Sequence, residues 1–313
     1  MPAPRWLNIL SGCTAVGKTA VALAWAGQNH AEIVSCDSLL FYRGMDIGTA
    51  KPTPAERARI PHHLIDICPV RERMDVRTYV ARAAAAIDEI AARGRSVLIV
   101  GGSGFYLKTF FGPVADDIAI DPALRVDVEQ QLATEGLPAL VRRLEALNPG
   151  GLGALDRQNP RRVVRALERC LAAGRSLNAL REEFRARPSP FADWDVRLVE
   201  LARAPDDLRC RIRRRVQTML AAGLIDEVRS LRAAGLEENP SAARAIGYRE
   251  TLDWLTTGNG DVARLAEEIA QNTWRLVRKQ RTWFRTQLPA HYVLTVAADE
   301  EPSAAQLFPP APQ

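Results

Sequence analysis

Eight consecutive residues near the start of the chain, GCTAVGKT, have the spacing of a phosphate-binding loop. Gly12 and Gly17 permit a tight turn whose N–H groups converge on an anion, and the next helix adds positive potential at its start. Lys18 would neutralise phosphate oxygens, and the Thr19 hydroxyl would ligate Mg²⁺. The octapeptide predicts a diphosphate site formed by Gly12, Cys13, Thr14, Ala15, Val16, Gly17, Lys18 and Thr19. It leaves open which molecule carries the diphosphate, and a glycine turn without function is the alternative.

Asp37 is the acid closest to this loop in the sequence, and it follows an apolar run at 32–36. Ligands of parallel sheets bind at the carboxyl ends of strands, which makes Asp37 a candidate for chemistry, whereas capping a following helix is an equally good interpretation. Kinases and ATPases usually place an acid at the end of a core strand to organise Mg²⁺ and water. The most apolar strand runs instead into Gly101–Gly104, which contains no acid.

A regular alternation of strands and helices surrounds these residues. Apolar runs at 6–10, 32–36, 63–67 and 96–102 alternate with helical patterns such as 76–94. The run at 96–102 is continuous, as expected of a strand that is buried on both faces. This βαβ order predicts an α/β fold with a P-loop NTPase-like parallel sheet core and covering helices.

The pattern changes from about residue 121, where capped helical segments follow one another without a convincing strand until 195–202. We therefore predict four parts. The first part of the core spans 1–114, an all-helical inserted domain spans 115–195, and the return to the core with basic C-terminal helices spans 196–298. The tail at 299–313 contains four prolines and is predicted to be disordered.

Composition excludes several classes of protein. The 313 residues are 47% apolar and 25% charged, and they contain no apolar run of about 18 residues that would span a membrane. The first residues, MPAPRWLNILSG, do not resemble a secretory signal. Five scattered cysteines without a CxxC pair predict neither a disulfide framework nor a zinc ribbon. We expect a cytoplasmic protein that has no membrane partner.

Positive charge is concentrated in two segments. The chain carries a net charge of +5 and has an isoelectric point of about 9.1. Residues 271–285 include five basic side chains and no acid, and residues 209–215 include five more basic side chains. Such local fields indicate a polyanionic partner more strongly than the net charge does.

Further motifs follow along the chain, and the stretch from Asp37 to Pro52 is far more specific than the phosphate loop. The longest is IVSCDSLLFYRGMDIGTAKP at 33–52. The others are HHLIDI (62–67), GGSGFYLK (101–108), DPALR (121–125), NPRRVVRALE (159–168), ARAIGYRE (243–250) and RKQRTWFR (278–285). Together with GCTAVGKT, they make the chain resemble the bacterial type of the tRNA dimethylallyltransferase family, also called tRNA isopentenyltransferases, over roughly residues 8–290.

Three positions depart from the pattern of that family. Cys13 stands where proline is usual, Ser103 stands where threonine is common, and Trp274 occupies a position that is usually basic. Ser103 keeps the hydroxyl group, and Arg275 lies beside Trp274.

The resemblance implies transfer of a dimethylallyl group from dimethylallyl diphosphate to a tRNA. The acceptor would be the exocyclic amine of the adenosine on the 3′ side of the anticodon, and Mg²⁺ would be the cofactor. Asp37 would accept the proton of the amine, and Ser103 and Arg125 would lie around the reacting centre and the tRNA. Arg211 and Arg215 would help to hold the diphosphate, because five basic residues within 209–215 must include one on the buried side of a helix, whereas Arg213 and Arg214 would be solvated.

The partner implied by the resemblance is the anticodon stem-loop of tRNA, bound by a monomer. The residues predicted to contact it are Asp37, Ser38, Leu39 and Leu40; Arg161, Arg162, Val163, Val164 and Arg165; Arg244, Ala245, Ile246, Gly247, Tyr248 and Arg249; and Arg278, Lys279, Gln280, Arg281, Thr282, Trp283, Phe284 and Arg285. Trp283 taken alone is more often a core residue than a stacking platform.

Two other functions use the same residues. A small-molecule or nucleotide kinase would use the loop to hold ATP, although it has no use for the basic segment at 271–285. A non-catalytic RNA-binding protein with a nucleotide switch would use both features and would not need the Asp37 carboxylate.

Overall fold

A computed structural model describes residues 5–113, 118–258, 260–298 and 300–308. Within them, one parallel sheet of six strands has the order β3-β2-β4-β1-β5-β6. Its strands are β1 (Trp6–Gly12), β2 (Ala31–Ser35), β3 (His62–His63), β4 (Ser96–Val100), β5 (Asp195–Ala202) and β6 (Tyr292–Thr295). The predicted α/β class with a parallel sheet and covering helices is confirmed.

The predicted strand at 63–67 is wrong beyond its first residue. Strand β3 ends at His63, and the next residue, Leu64, has a φ of 62°. Asp66 has a φ of 56°. Left-handed backbone at two positions so close together cannot continue an extended strand. The predicted run at 96–102 also ends early, because β4 stops at Val100 and the glycines beyond it form a loop.

Helices cover the sheet and form most of the rest of the chain. They are α1 (Lys18–Gln28), α2 (Pro54–Arg59), α3 (Val76–Ala92), α4 (Gly104–Leu107), α5 (Pro122–Glu135), α6 (Leu137–Ala146), α7 (Pro160–Ala173), α8 (Leu177–Ala186), α9 (Pro205–Ala221), α10 (Leu224–Ala233), α11 (Pro240–Ala243), α12 (Tyr248–Thr257) and α13 (Val262–Gln287). Side-chain caps fix several starts: Asp121, Asn159 and Asp261 accept backbone N–H groups at the beginnings of α5, α7 and α13. None of the helices in the described ranges is long and apolar enough to cross a bilayer.

The chain divides into two compact units. The core unit comprises the chain up to Phe111 and from Pro190 onward, and the helical unit comprises Gly112–Ser189. The sequence placed the helical segment at 115–195, whereas Phe191 is buried in the hydrophobic core of the core unit and β5 starts at Asp195. The helical unit has its own hydrophobic core, which includes Leu140 and Leu167.

Residues 300–308, which we call the C-terminal strap, are ordered. The predicted disorder of 299–313 is therefore wrong for this stretch, and the rest of the predicted tail lies outside the described residues. The strap forms a short 3-10 helix at Ala304–Gln306, and Leu307 is buried. The Phe308 ring packs edge-on against the Trp25 ring of α1, and the two ring centroids are 5.2 Å apart. Burial of these apolar side chains outweighs the proline content that suggested disorder.

Candidate active site at the carboxyl edge of the sheet

The carboxyl ends of β1, β2 and β4 open into a cleft of about 910 Å³. The residues that line it include the phosphate loop from Thr14 to Thr19, Asp37, Leu40, Gly101, the α9 residues Arg211, Arg214 and Arg215, and Glu301 of the strap. Parallel sheets bind their ligands at this edge. The structure thus brings the predicted diphosphate loop and Asp37 into one cavity within the core unit.

The shape of the phosphate loop depends on two positions that only glycine can occupy. Gly12 has a φ of 147° and Gly17 a φ of 103°. A Cβ atom on Gly12 would lie 2.7 Å from the Leu201 carbonyl oxygen, which is closer than real Cβ atoms come. The sheet and the left-handed backbone therefore require both glycines.

Lys18 begins α1 directly after the loop. Its Nζ donates to the carbonyl oxygens of Gly12 at 2.8 Å and Cys13 at 2.9 Å. Burial lowers the pKa of Lys18 to about 8, although the nearby Asp37 carboxylate opposes the shift. The ammonium of Lys18 is thus held beside the loop, and it still predominates at neutral pH.

The guanidinium groups of two arginines bind backbone carbonyl oxygens of the loop. Arg203 Nε donates to the Val16 carbonyl oxygen and Arg211 Nε to the Ala15 carbonyl oxygen, both at 3.0 Å. Because these carbonyl groups are bound by guanidinium groups, their negative ends do not oppose an anion. Arg203 was not predicted from the sequence. It follows β5 directly, and a charged residue at the carboxyl end of an apolar strand was the signal that could have found it.

Gln280 of α13 connects the loop to the end of β4. Its Oε1 accepts the Thr14 N–H at 3.1 Å, and its Nε2 donates to the Gly102 carbonyl oxygen at 3.0 Å. The sequence assigned Gln280 to tRNA contact. Because both ends of its amide are used within the core unit, we correct this assignment to support of the loop.

Asp37 follows β2 and is half-buried. Its Oδ1 accepts the Leu39 N–H at 3.0 Å, which makes a local turn, and among the described residues no helix begins there. The alternative of a helix cap is therefore wrong. The carboxylate favours the charged forms of both Lys18 and Arg215, so it lies close to both cations.

Ser103 joins the ends of β2 and β4. Its Oγ accepts the Ser38 N–H at 3.0 Å and lies 3.3 Å from the Ser38 hydroxyl, to which it donates, while its own N–H points to the Cys36 carbonyl oxygen at 3.4 Å. These contacts fix the segment that carries Asp37. The side chain of Ser103 is thus placed to position Asp37.

Two of the α9 arginines are partly buried and two others are exposed, as the sequence predicts. Arg215 donates to the Thr49 carbonyl oxygen at 3.0 Å, and burial lowers its pKa. Arg211 and Arg215 both line the cleft and are partly buried, whereas Arg213 and Arg214 are exposed. Arg214 nevertheless lines the outer part of the cleft.

The basic segment of α13 separates into an exposed and a buried face. Arg278, Lys279, Arg281, Thr282 and Arg285 are exposed. Phe284 is buried, so it packs in the core and is removed from the residues predicted to contact tRNA. Trp283 is half-buried, and its ring packs against Gly104. A Cβ atom on Gly104 would lie 2.3 Å from a ring carbon of Trp283.

The motif at 244–249 also contains both exposed and buried residues. Arg244 and Arg249 are exposed, while Ala245, Gly247 and Tyr248 are buried and Ile246 is half-buried. The hydroxyl of Tyr248 donates to Glu227 Oε1 at 2.6 Å, and the same carboxylate accepts the N–H groups of Ile47 and Gly48 at 2.6 and 3.1 Å. We therefore correct Tyr248 from tRNA contact to packing beneath the 46–49 turn, and Ala245 from tRNA contact to the hydrophobic core.

Within the helical unit, the predicted arginines are exposed. These are Arg125 on α5 and Arg161, Arg162 and Arg165 on α7. Burial raises the pKa of the Glu168 carboxyl, and the nearby Arg125 and Arg165 oppose this shift, so both arginines face one carboxylate. Val163 is fully buried in the core of this unit and Val164 is half-buried, which corrects Val163 from RNA contact to packing.

Among the described residues, no group of three or more histidine, cysteine, aspartate or glutamate side chains could hold a metal ion. Thr19 lies exposed at the start of α1 and lines the cleft. A hydroxyl oxygen next to a diphosphate suits Mg²⁺, which binds few protein ligands and keeps its waters and phosphate oxygens.

Comparison with known proteins gives a consistent result. The family model described as IPP transferase matches residues 40–287. A tRNA dimethylallyltransferase of Opitutus terrae is 64% identical over 288 residues, which cover 92% of each chain. A second one, from a Roseiflexus species, is 41% identical over 294 residues, which cover 94% of this chain and 93% of the relative.

Solved structures share the same architecture. The tRNA isopentenylpyrophosphate transferase of Bacillus halodurans is 33% identical, with a TM-score of 0.65, and the match covers 94% of this chain and 90% of that one. A eukaryotic dimethylallyltransferase acting on tRNA is 22% identical, with a TM-score of 0.81, and the match covers 97% of this chain and 76% of that one. The second likeness is one of fold.

Proposed function

The chain belongs to the IPP transferase family and is a prenyltransferase that modifies tRNA, and from this premise we propose how its residues perform the reaction. The donor is dimethylallyl diphosphate, and the acceptor is the exocyclic amine of the adenosine on the 3′ side of the anticodon. The observation that supports this proposal best is the meeting of Lys18, Arg215 and Asp37 in one cleft. Two cations suit a diphosphate, and a carboxylate next to them suits a proton acceptor.

The leaving group gains negative charge as the allylic C–O bond breaks. The N–H groups of the phosphate loop, Lys18, Arg211 and Arg215 stabilise that charge, and they do so most strongly in the transition state. Arg203 keeps the loop in place through the Val16 carbonyl. No phosphoryl group is transferred, which agrees with glycines rather than an acid at the end of β4.

Thr19 and the diphosphate oxygens would hold Mg²⁺, which adds positive charge next to the leaving group when it is bound. The described residues form no dedicated metal cluster, as expected of an ion held largely by its substrate.

The acceptor nitrogen forms its bond to the allylic carbon as the diphosphate departs. The amine of adenine is a weak nucleophile and too weak an acid to lose its proton beforehand, so a base must take that proton during or just after attack. The Asp37 carboxylate is that base, and Ser103 keeps it in place by holding Ser38. The proton ends on Asp37, and the electron pair of the broken C–O bond leaves with the diphosphate.

The tRNA is held by its phosphates and by the loop that carries the target base. An adenine in a stacked anticodon loop must leave the stack before its amine can react. Exposed basic residues of both units bind the backbone: Arg278, Lys279, Arg281 and Arg285 on α13, Arg244 and Arg249 near α12, and Arg125, Arg161, Arg162 and Arg165 in the helical unit. We propose that this activity takes place in the cytoplasm and that a monomer performs it.

The test is incubation of the protein with labelled dimethylallyl diphosphate, Mg²⁺ and unmodified tRNA, followed by nucleoside analysis. Label should appear in one modified adenosine. Hydrolysis of ATP without any labelled nucleoside would instead support a kinase. Modification by Asp37→Asn at the wild-type rate would exclude the assigned base.

A further inference from the structure

The C-terminal strap places a carboxylate at the diphosphate end of the cleft. The strap, residues 300–308, lies outside the segment matched by the family model, which ends at residue 287. Its Glu301 lines the cleft together with Lys18 and Arg215. The cleft also contains the carboxylates of Asp37, Asp46 and Glu56, but Glu301 lies within ion-pair distance of Arg211, and this pairing requires an explanation.

Arg203 anchors the strap next to the phosphate loop. Its guanidinium is completely buried, and besides the Val16 carbonyl it binds Asp207 Oδ2 at 3.0 Å, the Ala297 carbonyl oxygen at 2.8 Å and the Glu300 carbonyl oxygen at 2.7 Å. The backbone just before Glu301 is therefore tied to the same side chain that holds the loop. This anchoring places the backbone of Glu301 next to the phosphate loop.

The carboxylate of Glu301 approaches a cation that the diphosphate needs. Its Oε1 lies 3.5 Å from Arg211 NH1, and its Oε2 lies 3.9 Å from Arg203 NH2. Arg211 uses its Nε for the Ala15 carbonyl, so its terminal nitrogens are the ones available to an anion. Glu301 and a bound diphosphate would thus compete for one guanidinium group.

The Glu301 carboxylate is held loosely, because its side chain is 68% exposed and both contacts are longer than a good charged hydrogen bond. A tightly held ion pair would have removed Arg211 from the site. A loose pair leaves Arg211 available while lowering the local positive potential.

We propose that Glu301 is a counter-charge that weakens the binding of diphosphate at Arg211 and so speeds release of the diphosphate product. This inference rests on the proposed function, because it takes the cleft as the diphosphate site. Glu301 acts through Arg211 and is therefore a positioning residue.

The experiment compares Glu301→Gln with Glu300→Gln. The two variants make the same change of charge on neighbouring strap residues, and the Glu300 side chain is exposed. Inorganic diphosphate in the presence of Mg²⁺ is titrated as a product inhibitor and by calorimetry, and the KM values for dimethylallyl diphosphate and tRNA are measured separately.

For Glu301→Gln, we expect the inhibition constant of inorganic diphosphate and the KM for dimethylallyl diphosphate to fall about threefold, the size typical of an exposed ion pair. The KM for tRNA should stay at the wild-type value. Glu300→Gln should leave all three constants unchanged, and the contrast should shrink in 0.5 M NaCl, roughly as expected for screened charges.

Two results would overturn the inference. A higher inhibition constant for Glu301→Gln would show that the carboxylate holds Arg211 in its working position instead of competing for it. Equal changes in both variants would show an effect of net charge alone. The proposed function fails separately: if the wild type prenylates no tRNA but calorimetry shows the contrast between the variants, the assigned reaction is wrong and the role of Glu301 stands.

Discussion

The phosphate loop and the basic face of α13 both gather positive charge, but they hold it differently. Around the loop, Lys18, Arg203 and Arg215 are buried or half-buried, and backbone carbonyl oxygens fix each of them. On α13, Arg281 and Arg285 are exposed to solvent. A reaction in which a small anion departs needs cations at fixed positions, because a cation that is displaced from the developing negative charge does not stabilise the transition state. A tRNA backbone presents many phosphates, and long exposed side chains can adjust to them.

This contrast predicts how severe substitutions will be. Changes in the cleft should alter the chemical step or the fold, whereas changes on α13 should alter tRNA affinity in small, salt-dependent steps. Each of the following experiments tests this difference between the cleft and α13.

The largest effect is expected for Asp37→Asn. Loss of the base should lower kcat by about 10³-fold, within the usual range for general base catalysis. The affinities for tRNA and for dimethylallyl diphosphate should change far less than kcat, because other residues make most of the contacts to each substrate. Single-turnover kinetics and filter binding would measure both, with the exposed Asp88→Asn as the matched control. A large loss of tRNA binding would contradict the role of base.

Arg203→Leu should lower the free energy of unfolding by about 3–5 kcal/mol, the usual effect of removing one partner from a buried ion pair. The substitution leaves Asp207 and the carbonyl oxygens of Val16, Ala297 and Glu300 without their guanidinium partner. Urea titration would measure the loss. Arg213→Leu changes an exposed arginine of α9 and should stay within about 0.5 kcal/mol of the wild type, so equal losses would exclude the anchoring role.

Lys18 should make diphosphate binding depend on pH. Its pKa of about 8 means that the ammonium predominates below that pH and is lost as the pH rises through it. The KM for dimethylallyl diphosphate should therefore rise about fivefold between pH 8 and pH 9, in proportion to the lost protonated fraction. Lys18→Arg keeps its charge throughout this range and should remove the dependence. A flat wild-type profile would contradict the lowered pKa.

The smallest effects are expected on α13. Arg281→Ala and Arg285→Ala should each weaken tRNA binding about threefold and reduce the salt slope by about one phosphate contact. The KM for dimethylallyl diphosphate should not change. Binding measured from 50 to 200 mM salt would test this, and a change in kcat without loss of affinity would break the division between the two regions.

The expectations that held were those determined over short stretches of sequence. The octapeptide GCTAVGKT specifies its own turn, because the glycines and Lys18 lie within eight residues and a strand and a helix flank them. The position of Asp37 after β2 followed from the βαβ order in the same way. The caps of the helical segments that begin at Asp121 and Asn159 also depend only on neighbouring residues.

The expectations that failed concerned which face of an element would be buried. The motif at 244–249 could not show that Tyr248 points to Glu227, nor could RKQRTWFR show that Gln280 and Phe284 point inward. The composition of the tail suggested disorder because proline counts do not report the apolar partner that Leu307 and Phe308 meet on α1.

The sequence by itself determined the parallel sheet, the diphosphate loop and the carboxylate beside it, because local backbone preferences and strand order suffice for these features. Only the tertiary structure decided which cations support the loop and which residues are left for RNA. Arg203 meets Val16 across 187 residues and Arg211 meets Ala15 across 196. Contacts over such separations depend on how the whole core packs, and no spacing along the chain encodes them.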